Sequence, residues 1–299
     1  MYDIAALYEA SSIEEAIALL QEHPEAKIIA GGSDVLIKIR EGRLAGAVLV
    51  SIQKLDELRG VSLDSAGALR IGALTSFSHI TWDPLIQRHI PVLGEAVDMI
   101  GGPQIRNIGT IGGNTCNGVT SADSASTLLA FDAVMEYRGP GGLRLVPIKE
   151  HYVAAGRVAL GPAELLQGII IPKESYEGCY GHYIKYAMRN AMDIATLGCS
   201  VNALLSPDKR RVERLRAAFG VAGPVPMRAP HAEAAAQGKP VNEETISAVA
   251  RACLEDINPR SSWRASREFR LHLAEELLKR AFREAVSRAG AAVSGGGNT

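Results

Sequence analysis

Along the chain, the hydrophobic positions first fall into a helical rhythm. In SSIEEAIALLQEH, Ile13, Ala16, Ile17 and Leu20 recur at three- and four-residue intervals and make one apolar stripe. Ser11 or Ser12 stands ahead as N-cap, with Glu14 or Glu15 three residues on, a pairing that satisfies the open N–H groups of a first turn. Pro24 ends the helix. KIIA follows and stops at Gly31-Gly32, which predicts a strand entering a tight loop. AGAVLVSI (45–52) and ALRIGA (68–73) predict further strands, and PVLGEAVDMI (91–100) a helix halted by Gly101-Gly102-Pro103. SADSASTLLAFDA (121–133) opens with helix-starting residues, and AVMEYRG and LLQGIIIP predict strands. Pro172 and KESYEG mark a domain boundary.

The second half has a different texture. HYIKYAMR, IATLGCSVNALL and LRAAFGVAG predict three strands, and the last third is helical. NEETISAVARACLEDI is one helix; a long amphipathic run from about Trp263 to Ala289 is another, closed by Gly290. Residues 291–299 are expected to be a disordered tail. There is no internal repeat and no steady strand–helix alternation, which points to α+β rather than a doubly wound sheet.

Length and charge narrow the classes. With 299 residues and 47% hydrophobic content, two domains with real cores are expected. The net charge of −1 gives no electrostatic footprint for nucleic acid. The apolar runs fall far short of the ~20 residues a membrane span needs. MYDIAALYEA has neither a basic start nor a secretory core, so a soluble cytoplasmic protein is expected. Cys116, Cys179, Cys199 and Cys253 form no CxxC pair and have no histidine at ligand spacing. A disulfide framework, a metal site or an iron–sulfur cluster on this chain is therefore not expected. Three of the cysteines read as small buried apolar residues; Cys116 lies inside a glycine-rich segment and is left open. The seven histidines are scattered.

Candidate chemistry lies in two glycine loops, AGGSD (30–34) and GTIGGN (109–114). Neither is a GxxxxGK[ST] phosphate loop, and neither is a GxGxxG opening a helix. Both still let the backbone approach an anion closely and offer successive N–H groups to phosphate oxygens. Each could equally be a plain tight turn. Arg106, just before the second loop, neutralises a phosphate or serves a surface or hinge role, the latter favoured. Asp123 accepts hydrogen bonds from a ribose or caps the helix that follows. The arginines of SSWRASREFRLHL form a solvated face or meet a partner, and LSPDKRRVERLR (205–216) reads as a solvent-facing hairpin.

KIIAGGSDVLIKIREG and QIRNIGTIGGNTCNGVTSADSASTLLAFDA resemble the two FAD-binding motifs of the molybdenum hydroxylase flavoprotein subunits. HYIKYAMRNAMDIATLGCSVNALL is similar to the strand pair opening that family's C-terminal domain, and NPRSSWRASREFRLHLAEELLKRA to its closing helix. The likeness spans nearly the whole chain. It is strongest to the FAD-binding subunits of bacterial three-subunit xanthine dehydrogenases.

The resemblance implies an α+β fold: a two-lobed FAD-binding domain of the vanillyl-alcohol-oxidase-like type over 1–175 (lobes about 1–55 and 56–175), then a three-stranded antiparallel sheet with helices over 180–290. It implies that both loops cradle the FAD pyrophosphate. Carried over, that assigns Lys27, Ile28, Ile29, Ala30, Gly31, Gly32, Ser33 and Asp34 from the first, and Gly109, Thr110, Ile111, Gly112, Gly113 and Asn114 from the second. Asp123 matches a residue on the ribose side, although TSAD replaces the family's usual proline before SD. Leu165 matches the strand packed on the flavin. Ile184 and Lys185 match the start of the next domain, where a lysine approaches the ring; Arg189 and Asp193 match a loop tuning access to it. Gly112→Val is expected to abolish flavin binding by blocking the pyrophosphate. KIIAGGSD holds no histidine for a covalent tether, so FAD is expected to be noncovalent. The implied partners are a molybdenum-binding large subunit, an iron–sulfur small subunit carrying [2Fe–2S] clusters, and NAD as acceptor. Relatives acting on aldehydes, aromatic thioesters or carbon monoxide, a self-contained flavin oxidase, and a binding or assembly protein that kept the fold without the flavin are the alternatives; the intact glycine loops count against the last.

Overall fold

The computed structural model describes residues 2–294. Strand and helix alternate over the first 51 residues: Ile4–Glu9, Ile13–Glu22, Lys27–Ile29, Val35–Arg40 and Ala47–Ser51. Because each return passes through a helix, the three strands lie parallel, with the third between the first and second. This alternation departs from the expectation of none, and it is confined to the first lobe. Ser12 caps the first helix by accepting from the Glu15 N–H at 3.0 Å, while the Ser11 N–H bonds back to the Glu15 carboxylate at 2.7 Å. The predicted stripe Ile13, Ala16, Ile17 and Leu20 is buried against Val50, Ile52 and Leu55.

The second lobe is a five-stranded antiparallel sheet. Its spatial order is Val61–Leu63, Leu69–Gly72, Leu165–Ile171, Val134–Gly139, Gly142–Pro147. Ile71, Ile169, Ile80, Leu93 and Leu128 are wholly buried in its core. Three short helices here are not legible in the pattern: Phe77–Trp82, Pro84–His89 and Pro103–Ile108. Two of them start on a proline at the first helical position, where its missing N–H costs nothing. The helix Asp123–Ala130 is buried along its whole length because it lies between this lobe and the C-terminal sheet.

The C-terminal sheet has the three expected long antiparallel strands, Cys179–Tyr186, Leu197–Leu205 and Val212–Gly220, plus a two-residue fourth strand, Met227–Arg228. Helices Pro230–Ala236 and Arg267–Arg288 cover it, and Glu243–Ala252 packs on both of them. The closing helix begins at Arg267 rather than Trp263, because Ser266 caps it on the Phe269 N–H at 3.2 Å. Gly290 ends it with φ +69°. The tail does not loosen at 291: Ala291 and Val293 pack on the helical core, and the Ser294 N–H donates to the Val241 carbonyl. Residues 295–299 lie outside the described residues. Among the described residues no helix is long and apolar enough to cross a membrane.

Candidate functional site

The two glycine segments meet at a cavity of about 640 Å³ between the first and second lobes. That is within the roughly 300–1,000 Å³ of small-molecule and cofactor sites. Lys27, Ile28, Ala30, Gly31, Gly32, Ser33 and Asp34 line it on one side; Gly109, Thr110, Gly112, Gly113 and Asn114 line it on the other, with Leu165 in the floor. Ile29 and Ile111 do not. Ile111 is fully buried in the second-lobe core, and the Ile29 side chain lies behind Gly32.

The first segment is built to leave its donors free. Gly32 sits at φ +74°, a left-handed turn that suits glycine. A Cβ on Gly31 would stand 1.8 Å from the Ile108 carbonyl oxygen, so the two segments touch backbone to backbone. The helix that follows has no side-chain cap. The N–H groups of Gly31, Gly32, Ser33 and Asp34 donate to no acceptor among the described residues. Four successive N–H groups without a protein acceptor, at a cavity wall that solvent reaches, are well suited to an anion.

The second segment corrects the loop reading. Its glycines open a helix, Ile111–Cys116, capped by Thr110, whose hydroxyl accepts from the Gly113 N–H at 3.1 Å. The Gly109, Ile111, Gly112 and Asn114 N–H groups donate to Ile105, Thr75, Ala73 and Thr110 carbonyls at 2.7–3.0 Å. A Cβ on Gly112 would stand 2.6 Å from the Ala73 carbonyl oxygen, and one on Gly109 2.8 Å from both the Ile105 oxygen and the Phe77 ring. Gly112 is therefore glycine because the helix seats on the Leu69–Gly72 strand end. The reason given for Gly112→Val, a blocked pyrophosphate, is replaced by a packing reason.

Asp123, Ile184 and Lys185 are not in the cavity wall. Asp123 makes no side-chain cap. It is buried where the second lobe meets the C-terminal sheet, accepting from the Tyr183 hydroxyl at 2.6 Å and the Lys185 ammonium at 2.8 Å. Burial pushes its carboxyl up, and the Lys185 ammonium offsets part of that. Lys185 also donates to the Met99 carbonyl at 3.0 Å, one residue from Ile100 in the wall. Ile184 packs on the C-terminal core. Arg106 does not line the cavity; it pairs with Asp98 at 3.0 Å and donates to the Ile100 and Gly101 carbonyls. Arg189 and Asp193 pair with each other in an exposed loop.

Several wall residues were not among the assigned contacts: Leu74, Phe77 and the turn 160–164 lie outside the two motifs, and Lys38 and Asn117 lie inside them but beyond the glycines. The Lys38 ammonium donates to Asn117 Oδ1 at 2.8 Å across the cavity. The signal for Lys38 was its place one turn beyond the glycines, on the helix they start. Behind the second segment, the His151 Nε2–H donates to the Thr115 carbonyl at 3.2 Å and its Nδ1 accepts from the Tyr137 hydroxyl. Burial pulls His151 down to about 4, so the ring is neutral and holds the glycine helix from below. Cys116 joins the wall with a thiol that burial pushes up to about 12. No histidine lines the cavity among the described residues. They also contain no cluster of three metal-ligating side chains.

A row of free N–H groups, a lysine, and an apolar floor of Leu165, Leu74 and Phe77 make a site for a phosphate-bearing cofactor with a flat apolar part. Residues 2–174 match the family model of the FAD binding domain in molybdopterin dehydrogenase, and residues 182–285 match that of the CO dehydrogenase flavoprotein C-terminal domain. The chain therefore belongs to the FAD-binding flavoprotein family of the molybdopterin dehydrogenases. It is 46% identical to the xanthine dehydrogenase FAD-binding subunit of Escherichia coli O157:H7, over 97% of this chain and 99% of that one. It is 30% identical to the carbon monoxide dehydrogenase medium chain of Afipia carboxidovorans, over 93% and 95%. Among solved structures, carbon monoxide dehydrogenase from Hydrogenophaga pseudoflava superposes with a TM-score of 0.91 at 30% identity, over 96% of this chain and 99% of that one.

Proposed function

We propose that this chain is the FAD-carrying electron-transfer subunit of a xanthine dehydrogenase, working beside a molybdenum-binding large subunit and an iron–sulfur small subunit. FAD, when bound, supplies two-electron acceptance from [2Fe–2S] clusters one electron at a time and hydride delivery to NAD. The chain's own residues bind and orient. The N–H row of Gly31 to Asp34 meets the diphosphate, the Leu165 floor and Phe77 exclude water, and the Asp123–Lys185 pair fixes the segment Met99–Ile100 against the cavity. Lys185 acts through that segment, its ammonium already held by two acceptors. The observation that carries the reading is the unpartnered N–H row facing a cofactor-sized cavity. The xanthine reading is preferred to a carbon monoxide one by 46% against 30% identity.

The test is to denature the purified chain, separate the flavin and identify it by chromatography. FAD close to one per chain, free of protein, supports a noncovalent site. Flavin retained on the polypeptide, or FMN in place of FAD, sinks it. Assembled with both partners, the complex should reduce NAD with xanthine as donor; activity with aldehydes or carbon monoxide alone would move the chain to another holoenzyme.

A further inference from the structure

Among the described residues the cavity wall contains four charged side chains that are not equivalent: Lys27, Asp34, Lys38 and Glu164. Glu164 is spent. Arg144 donates to both its carboxylate oxygens, at 3.0 and 2.6 Å, and the Gly161 N–H donates at 2.6 Å. Lys27 and Asp34 are exposed. Lys38 is half-buried, and among the described residues its ammonium meets one acceptor, the neutral amide oxygen of Asn117. No carboxylate of the described residues lies within salt-bridge distance of it. An ammonium carries three donors, so two of its N–H groups lack a protein acceptor. Holding a long flexible side chain at a cavity wall with one neutral contact leaves a charge for an anion to meet.

Its position sharpens this. Lys38 stands one turn above the Gly31–Asp34 row, on the helix Val35–Arg40 that the row starts, and its N–H closes on the Asp34 carbonyl. Asn117 is the C-cap of the helix Ile111–Cys116 that carries the second glycine pair. The Lys38–Asn117 contact thus spans the cavity from one lobe to the other.

We infer that Lys38 is the charged binding residue for the diphosphate of the cofactor, and that Asn117 aims its ammonium across the gap between the lobes. The inference rests on the FAD reading above. The N–H row alone supplies partial charges; Lys38 supplies the one full positive charge of the inner wall.

The test is flavin binding to the full chain, stripped of cofactor and titrated with FAD by quenching of flavin fluorescence, at low and high salt. Lys38→Met should weaken FAD on the order of tenfold to a hundredfold at low salt. The gap should narrow at high salt, because screening removes the charge that the variant lacks. Lys38→Arg should restore most of the affinity. Asn117→Ala, which breaks the bridge and keeps the ammonium, should cost no more than about threefold. Thermal melts of each variant separate lost binding from lost folding, and Lys38→Gln stands in if the methionine variant does not fold. Equal FAD affinity for wild type and Lys38→Met overturns the inference and leaves the FAD reading standing. So does an Asn117→Ala loss as large as that of Lys38→Met, which would make the pair a lobe clasp. A wild-type chain that takes no FAD, alone or with its partner subunits, overturns both.

Discussion

The two glycine segments are alike in composition and opposite in construction. In Gly31–Asp34 the backbone donors are left over; in Gly109–Asn114 nearly all are used, by the Thr110 hydroxyl and by carbonyls of Thr110, of Ile105 and of the strand end Ala73–Thr75. Gly31 is glycine to let the segments touch, and Gly32 to turn left-handed. Gly109 and Gly112 are glycine to seat a helix on a strand and a phenyl ring. On the function proposed above, the first segment is the anion-binding part, and the second is a packed wedge in the cavity wall. Glycine density therefore marks close backbone approach of either kind, and only the hydrogen-bond inventory tells them apart.

The sharpest way to break this contrast is to add carbon at neighbouring positions of the wedge. Gly112→Val drives its Cβ into the Ala73 backbone, which cannot yield as a side chain can, and should cost about 3 kcal/mol or more of stability. Flavin loss should follow from a displaced helix, so thermal denaturation of the flavin-free protein should already show the fall. A flavin-free Gly112→Val chain as stable as wild type would return the residue to the pyrophosphate.

The next largest effect is on pH dependence, through the support under the wedge. Burial holds His151 down at about 4 in the folded chain, against about 6.5 when exposed in the unfolded chain. As pH falls from about 6.5 toward 4, the unfolded chain takes up the proton first. Stability present above pH 6.5 is then lost, on the order of 3 kcal/mol by the bottom of that window. His151→Phe should be less stable at neutral pH, since it orphans the buried Tyr137 hydroxyl, but should lack this part of the slope; the Thr115 carbonyl keeps the Gly118 N–H. Urea midpoints for both proteins across the window read the difference; parallel curves would mean that His151 is not held neutral.

Gly113 gives a smaller and different effect. A Cβ there meets only the Thr110 hydroxyl, at 2.9 Å, which can rotate away. Gly113→Ala should cost about 1 kcal/mol of stability through the disturbed cap, yet should weaken FAD because the methyl enters the cavity wall. Stability and affinity thus part at two adjacent glycines. A variant that loses both in proportion would make the wedge uniform and blunt the contrast.

What the residues disclosed in advance follows from the same distinction. Long periodic stretches were legible: the stripe from Ile13 to Leu20 and the three long strands of the C-terminal sheet. The motifs brought most of the proposed contacts to one cavity. The helix Ile111–Cys116 was not legible, because two glycines at its start read as a loop, and its stability comes from the Ala73 and Thr75 carbonyls elsewhere in the chain. Asp123 and Lys185 were recognisable as a pair of charges but not as partners of each other, since a 62-residue separation carries no periodic signal. Lys38 resembled any solvated lysine on a short helix. Its meaning depends on Asn117, which the fold alone brings across the cavity.

The least effect should come from Cys116, although it stands in the same wall. Its thiol is pushed from 9.0 up to about 12, so the thiolate fraction near pH 8 is lower than that of an ordinary cysteine by roughly three orders of magnitude. Iodoacetamide should therefore label it slowly at pH 8 even in the flavin-free chain, as peptide mapping by mass spectrometry would record. Cys116→Ala should leave FAD affinity within about twofold, because the sulfur contributes packing and no charge. Rapid labelling that also expels FAD would show a thiolate at the cavity. The wall would then carry a negative charge opposite Lys38, and the division into an anion-binding segment and an inert wedge would fail at its centre.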